Sequence, residues 1–144
     1  MDFSTRGQSV LVAAGSKGVG RACALALAAE GVNVTICACG LDALNVSMMA
    51  LRATGAQALA IQADVTEPEQ LRMVVERAVS TFGRLDILIC SCNAAGPPPR
   101  TFASASETQW IEAFQLRLLR VVSLSQTALP HLRQHGSGRI DHQP

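Results

Sequence analysis

The sequence predicts an α/β fold in which a doubly wound parallel sheet has the strand order 3-2-1-4. Two observations and one general rule support this prediction. Short apolar segments alternate with longer segments of helical periodicity, as in a sheet covered by helices on both faces. A glycine-rich loop follows the first apolar segment directly, and right-handed crossovers leave few other strand orders. With 144 residues, the chain is expected to form a single domain over positions 1–144.

Each element is recognised from its residue pattern and its boundaries. Strands are predicted where four to six apolar or β-branched residues lie between turn signals, and helices where apolar residues recur every three or four positions and a glycine follows. The predicted strands are 10–14, 32–37, 58–63 and 85–89, and the predicted helices are 20–30, 42–53, 66–82 and 106–134.

Two of these helices carry a capping-box pattern at the N-terminus. Thr66 is followed three residues later by Glu69, and Ser106 by Gln109, so that each pair can satisfy free backbone N–H groups reciprocally. The last helix is expected to be long and amphipathic. Its apolar side chains at helical spacing are Trp110, Phe114, Leu118, Val121, Val122, Leu129 and Leu132.

Charge and hydropathy exclude several classes of function. The net charge of +1 gives no electrostatic reason for binding nucleic acid or an anionic membrane. Positions 1–9 lack the apolar run of a secretion signal. The longest apolar run, 22–29, is far too short to span a bilayer. The sequence therefore predicts a soluble, cytoplasmic protein with neither nucleic acid nor membrane as a partner.

The five cysteines comprise two C-x-C pairs, Cys37 with Cys39 and Cys90 with Cys92, and the single Cys23. An odd number without a secretion signal argues against a disulfide framework. A four-thiolate zinc site is the sharper alternative. However, the two pairs end strands that flank the first strand, about 9–10 Å apart, whereas sulfurs on one zinc lie about 4 Å apart. No metal site is predicted, and the thiols are interpreted as lining the core and a cleft.

The glycine-rich loop lies between the first strand and the first helix. Its glycines permit a tight turn and let a pyrophosphate approach the helix N-terminus, where free N–H groups and the helix dipole favour an anion. An ordinary turn would also explain the glycines, but the strand before the loop, the helix after it and the following strand favour a dinucleotide site. The candidate binding residues here are Gly15, Ser16, Lys17, Gly18, Val19 and Gly20.

With these motifs in this order, the chain resembles the N-terminal, cofactor-binding half of the short-chain dehydrogenase/reductase family, which has a Rossmann fold. The family's T-G-x-x-x-G-x-G motif matches at Gly18 and Gly20, whereas Ala13 and Ala14 replace its leading Thr and Gly. An alanine methyl at position 14 is expected to crowd the phosphates unless Gly15 lets the loop shift. The G-P-P-P loop at 96–99 and the helix end at 129–133 are similar to members described as 3-oxoacyl-carrier-protein reductase-like.

The resemblance implies roles for residues farther along the chain. Asp64 matches the family's Asp that hydrogen-bonds the adenine amino group, and Val65 its apolar neighbour that packs on the ring. A simple turn residue ahead of the next helix is the alternative for Asp64. Asn93 and Ala94, followed by Gly96, resemble the family's N-N-A-G segment, which stabilises the sheet and walls the cofactor.

The resemblance also bears on the choice of cofactor. At the ribose 2′ position an acid hydrogen-bonds the hydroxyl of NAD, and a basic residue accommodates the phosphate of NADP. Ala38 stands in place of that acid, and Cys39 stands where many NADP-dependent relatives carry Arg. Lys17 matches the other basic position, so NADP is favoured over NAD. The alternative for Lys17 is a solvated loop lysine.

The catalytic apparatus that the resemblance implies is missing from these residues. The family transfers hydride with a Tyr, whose pKa of about 10 a nearby Lys lowers, together with a Ser and an Asn. This sequence contains no tyrosine, and Arg117 stands where the Asn would be. Positions 138–140 resemble the start of the family's fifth strand. No catalytic residue is predicted, and the chain is interpreted as incomplete at its C-terminus, after the fourth strand and the long helix.

Three functional hypotheses remain. The chain is a truncated, inactive copy of an NAD(P)-dependent oxidoreductase, a non-catalytic dinucleotide-binding or interaction module, or a non-functional, unstable fragment. The fourth strand is expected to be a bare edge, which promotes association. The helix at 106–134 is expected to have lost part of its cover, so a homo-oligomer through this helix is a further expectation.

Overall fold

A computed structural model describes residues 4–92, 101–136 and 138–142. Its centre is a parallel sheet of five strands in the order β3-β2-β1-β4-β5, so the predicted order 3-2-1-4 is confirmed and one strand is added. The strands are β1 Ser9–Ala13, β2 Asn33–Ala38, β3 Ala58–Gln62, β4 Ile87–Cys90 and β5 Arg139–His142.

Helices cover both faces of the sheet because the strands are apolar on both. In β1, Val10 and Val12 pack on one face, and Leu11 and Ala13 on the other. The first face is covered by α1 (Gly18–Ala29) and α2 (Leu41–Ala53), the second by α3 (Pro68–Phe82) and α5 (Arg120–Arg133). None of the helices in the described ranges combines the length and apolar character that crossing a membrane requires.

The sheet extends beyond the four strands predicted from the sequence. In the fifth, Ile140 pairs in register with Leu88 of β4, and the Arg139 N–H donates to the Asp86 carbonyl oxygen over 2.8 Å. The expectation that the fourth strand is a bare edge is therefore corrected, since the outer strand on this side is β5. The stretch 138–140, which resembled the start of a fifth strand, leads into β5, which begins at Arg139.

The start of α3 also differs from the prediction. The helix begins at Pro68, with Glu67 as its N-cap and no side-chain hydrogen bond at the cap. The Thr66 N–H instead donates to Asp64 Oδ1 over 2.9 Å, and Glu69 pairs with an arginine of the same helix. Proline suits the first helical position because its φ is already helical and it has no N–H to satisfy. This preference explains why the predicted capping box at Thr66 does not form.

The last helical region is interrupted rather than continuous. The predicted capping box of Ser106 and Gln109 is present and opens α4 (Glu107–Phe114). A π-helical turn, Gln115–Leu119, then separates α4 from α5. Such turns inside α-helices are rare and are frequently found at functional sites, and this one borders the cleft described below.

One face of this region lacks cover in the monomer. Trp110 and Phe114 are 52% and 58% exposed, and Leu118 and Val122 are 46% and 41% exposed. The ring of Phe102 meets that of Trp110 edge-on, with centroids 5.9 Å apart. The opposite face of α5 is buried against the sheet, so only one stripe of the helix contributes to the core.

Candidate functional site

A cleft of about 650 Å³ opens at the carboxyl ends of β1 to β4. From β1, the strands β2 and β3 are added on one side of the sheet and the strands β4 and β5 on the other. The strand order therefore reverses at β1. In open α/β sheets, ligands bind in the crevice at such a reversal. The walls of the cleft come from the glycine loop, the ends of β2, β3 and β4, and the π-helical turn with the start of α5.

The glycine loop turns by means of two residues with positive φ. Ala14 has a φ of 61° and Gly18 a φ of 55°. A Cβ at Gly18 would meet no atom within 4 Å, and α1, which begins at Gly18, has no side-chain cap. The first N–H groups of α1 are therefore left without the usual side-chain acceptor, beside an open cradle suited to an anion. A dinucleotide pyrophosphate fits this arrangement.

Two glycines of the loop have a packing role instead. A Cβ at Gly15 would lie 2.7 Å from Ile36 Cγ2, and one at Gly20 would lie 2.6 Å from the Ala14 carbonyl oxygen. Both are buried and neither lines the cleft. Ser16, Lys17, Gly18 and Val19 do line it, so the structure separates the predicted binding residues of this loop into a contacting set and a supporting pair.

A serine from α2 ties the loop in place. The Ser47 hydroxyl donates to the Ser16 carbonyl oxygen over 2.9 Å, and Ser47 is only 1% exposed. The sequence prediction overlooked this residue. Its signal is its position between Leu44 and Leu51 on the buried face of α2, where a polar side chain requires a partner.

The ends of β2 and β3 form the next part of the wall. Cys39 is exposed, and its thiol donates to the Ala63 carbonyl oxygen over 3.5 Å. Asp64 and Val65 are half-buried and line the cleft, as does Ala38. Asp64 accepts the Thr66 N–H through Oδ1, and this turn orients its carboxylate. Asn93 and Ala94, which are also predicted to bind cofactor, lie outside the described residues.

Three thiols near the strand ends have raised pKa values, which favour the protonated form. Cys37 and Cys90 flank Ala13 on either side in the same row of the sheet. Burial, with a contribution from the neighbouring Cys92 thiol, raises the pKa of each to about 12. Burial also raises the pKa of Cys92. These three thiols are thus not poised as nucleophiles, and the described part of the chain contains no cluster of three or more metal-binding side chains.

A family model for short chain dehydrogenases matches residues 8–140 of the chain. The chain belongs to the short-chain dehydrogenase family. A 3-oxoacyl-[acyl-carrier-protein] reductase of Staphylococcus aureus is 31% identical over 134 residues, a match that covers 92% of this chain and 54% of that protein. The predicted resemblance to the family, including its 3-oxoacyl-carrier-protein reductases, is confirmed.

Solved short-chain dehydrogenases share the fold closely. A 7α-hydroxysteroid dehydrogenase complexed with NADH and 7-oxo glycochenodeoxycholic acid superposes with a TM-score of 0.85 at 27% identity, covering 96% of this chain and 53% of that one. A short chain dehydrogenase from Burkholderia cenocepacia in complex with NADP gives 0.82 at 32%, covering 96% and 55%. The chain therefore spans about half the length of these relatives, and they hold different nicotinamide dinucleotides.

Within this short-chain dehydrogenase fold, the helical wall of the cleft departs from the sequence prediction. Arg117 is exposed and does not line the cleft, whereas Leu116 and Arg120 do. The sequence prediction missed Arg120. Its four-residue spacing places it on the same face of α5 as the buried Leu124 and Ala128. A charged residue on this otherwise apolar face is the feature of the sequence that could have identified it.

Proposed function

We propose that this chain is the dinucleotide-binding half of a short-chain dehydrogenase and holds NAD(P)H in the cleft at the ends of β1 to β4. The observation that carries the proposal is the open cradle at Gly18, where positive φ, free space and the uncapped N-terminus of α1 coincide. The pyrophosphate would lie there, where the helix dipole and free N–H groups favour its charge.

The adenosine half would extend across the ends of β2 and β3, as in other doubly wound folds. Asp64 would accept a hydrogen bond from the adenine amino group, and Val65 would pack on the ring. By the family resemblance, Asn93 and Ala94 would wall the cofactor. NADP is favoured over NAD because Lys17, an exposed cation, lines the cleft, while Ala38 offers no carboxylate to a ribose hydroxyl.

The chemistry of the family would come from the bound nicotinamide, which donates or accepts a hydride. The residues of this chain bind and orient the dinucleotide, and none of them is proposed to move the proton. A positioned acid or base contributes about 10²–10⁴-fold to such reactions, and these 144 residues include no tyrosine. We therefore propose that this chain by itself binds the dinucleotide without turnover, as a non-catalytic module or an inactive copy.

Two further features belong to this proposal. The exposed apolar stripe along α4 and α5, formed by Trp110, Phe114, Leu118 and Val122, would pair with a second copy and form a homo-oligomer. A cytoplasmic location is proposed because the five cysteines are free thiols, a state that a reducing compartment maintains.

Calorimetric titration of the purified chain with NADPH and NADH tests the proposal. We expect one saturable site and tighter binding of NADPH. Lys17→Ala should weaken NADPH binding by about tenfold, roughly 1.4 kcal/mol, and leave NADH binding unchanged. Arg52→Ala, which removes an exposed cation of α2 outside the cleft, is the matched control. Absence of saturable binding would contradict the proposed function, and tighter NADH binding would contradict the cofactor preference.

Turnover is measured in the same preparation. We expect no carbonyl-dependent oxidation of NADPH and no alcohol-dependent reduction of NADP. Turnover at an ordinary enzymatic rate that Gly18→Val abolishes would show that this half of the fold is catalytic by itself.

A further inference from the structure

We propose that Arg120 covers the purine ring of the bound dinucleotide, with its flat guanidinium stacked on the ring at the β3 side of the cleft. This inference rests on the proposed function, because it assigns a binding residue within the same cleft. The sequence motifs gave this arginine no role.

The position of Arg120 is fixed by the interruption in the helical wall. It is the first residue of α5, directly after the π-helical turn, and it is half-buried. It lines the main cleft and also an adjoining groove of about 430 Å³ between α3 and α5. The cleft and the groove share Val65, Thr66 and Arg120, so this side chain lies where the turn after β3 meets the start of α5.

The guanidinium is available to a ligand. Arg84 and Arg72 each pair with a carboxylate, whereas no hydrogen bond or ion pair with another described residue engages Arg120. The Arg120 charge acts on Cys92, just after β4, and offsets part of the rise that burial causes in the pKa of this thiol. A half-buried arginine without an acidic partner among the described residues retains both its planar face and its N–H donors.

The ligand group at this position would be the purine. A pyrophosphate at the N-terminus of α1 places the adenosine ribose over the end of β2, and the base then reaches β3, the next strand outward. A guanidinium plane stacks on aromatic rings through cation–π and dispersion contacts. Stacking on the base does not depend on the ribose 2′ group, so Arg120 would act on NADPH and NADH alike, whereas Lys17 would act on NADPH alone.

Binding measurements on Arg120→Met and Arg120→Lys test this inference, with Arg72→Met as the control on the rim of the same groove. The probes are NADPH, NADH and inorganic pyrophosphate, which lacks the purine. Arg120→Met should weaken NADPH and NADH binding by the same factor of about ten, and Arg120→Lys by about three, within the range of cation–π contacts. At 0.15 M salt, pyrophosphate should compete with the dinucleotides equally well in the wild type and in the Arg120 variants. Arg72→Met should bind all three probes as the wild type does.

Several outcomes would overturn the inference. Unchanged NADPH and NADH binding in Arg120→Met would do so. A loss confined to NADPH would identify a contact with the 2′-phosphate, and an equal loss for pyrophosphate would identify a general charge effect. Full affinity in Arg120→Lys would show that the planar guanidinium is not required. Because this variant retains a long side chain, it also serves as the test if Arg120→Met fails to fold. A wild-type chain that binds neither dinucleotide would refute the proposed function itself.

Discussion

The carbonyl oxygen of Ala14 lies so close to Gly20 that a Cβ at Gly20 would be 2.6 Å from it. The same Ala14 adopts a positive φ of 61°, a conformation that costs an L-residue about 1–2 kcal/mol. The turn that shapes the glycine loop therefore requires glycine at position 20 and would favour it at position 14. The chain nevertheless carries alanine at position 14.

Ala14→Gly is expected to stabilise the fold and strengthen dinucleotide binding. Removal of the strained methyl should raise the free energy of unfolding by about 1 kcal/mol and give the phosphates more room. Gly20→Ala should lower both stability and affinity because of the contact with the Ala14 oxygen. Urea unfolding and calorimetry measure the two quantities.

Gly55→Ala is the matched control for these loop variants. Gly55 also has a positive φ, 82°, but a Cβ there would meet no atom within 4 Å, and it lies outside the cleft. It should lose stability by strain alone and keep its affinity. Equal affinity in all three variants would mean that the loop does not bind the phosphates.

Asp86, directly before β4, links this strand to β1 and β5 at the opposite end of the sheet through its side chain and its backbone. Asp86 is fully buried and accepts two hydrogen bonds of 2.7 Å from Arg84 and one of 2.9 Å from the Ser9 N–H. Its carbonyl oxygen accepts the Arg139 N–H of β5. Burial by itself raises the pKa of Asp86, but the Arg84 guanidinium and the Ser9 N–H outweigh it and hold the pKa below its usual value.

Asp86→Asn is expected to destabilise the chain at neutral pH by about 1.5–3 kcal/mol, the range for hydrogen bonds to charged groups. A carboxylate with a lowered folded pKa contributes stability above its unfolded pKa of about 3.9, and this stability is lost as pH falls through the folded value. The difference between wild type and Asp86→Asn should therefore shrink below about pH 4. Urea unfolding between pH 3 and 8 measures it, and a difference that is constant with pH would refute the assigned cause.

The exposed stripe of the last helical region predicts self-association of the isolated chain. Full burial of a large apolar side chain is worth about 1.5–3 kcal/mol, and Phe114 and Leu118 are each about half exposed. Phe114→Glu and Leu118→Glu should shift the chain towards a monomer in sedimentation velocity. Met49→Glu, on α2 and 74% exposed, should leave association unchanged. A monomeric wild type, or an equal effect of Met49→Glu, would count against this interface.

Hydrophobic periodicity and glycine placement were sufficient to predict the strand order and most elements of the fold. They identified the glycine loop and the strand ends because a parallel sheet brings these together wherever its strand order reverses. They misplaced the start of α3. Pro68 at the first helical position and the turn at Asp64 make Glu67 the N-cap instead of the predicted Thr66. They also could not reveal the π-helical turn, because one extra residue in a helical turn barely changes the apolar pattern.

The residues overlooked in the site share one property. Ser47 and Arg120 lie on helix faces that are otherwise buried and apolar. Each is a single polar residue on such a face and belongs to no sequence motif. Their roles depend on tertiary contacts, namely a carbonyl of the glycine loop for Ser47 and a cleft wall shared with β3 for Arg120. Neither contact can be deduced from spacing along the chain.

Hydrogen–deuterium exchange of the chain, with and without saturating NADPH, tests most directly the claim that the cleft holds a dinucleotide. Backbone amides at 14–20 and 63–66 should exchange more slowly in the complex, because the first segment would bind the pyrophosphate and the second the adenosine. Residues 74–82 of α3, outside the cleft, should be unchanged. Saturation by NADPH without protection of 14–20 and 63–66 would contradict the assignment of this cleft as the dinucleotide site.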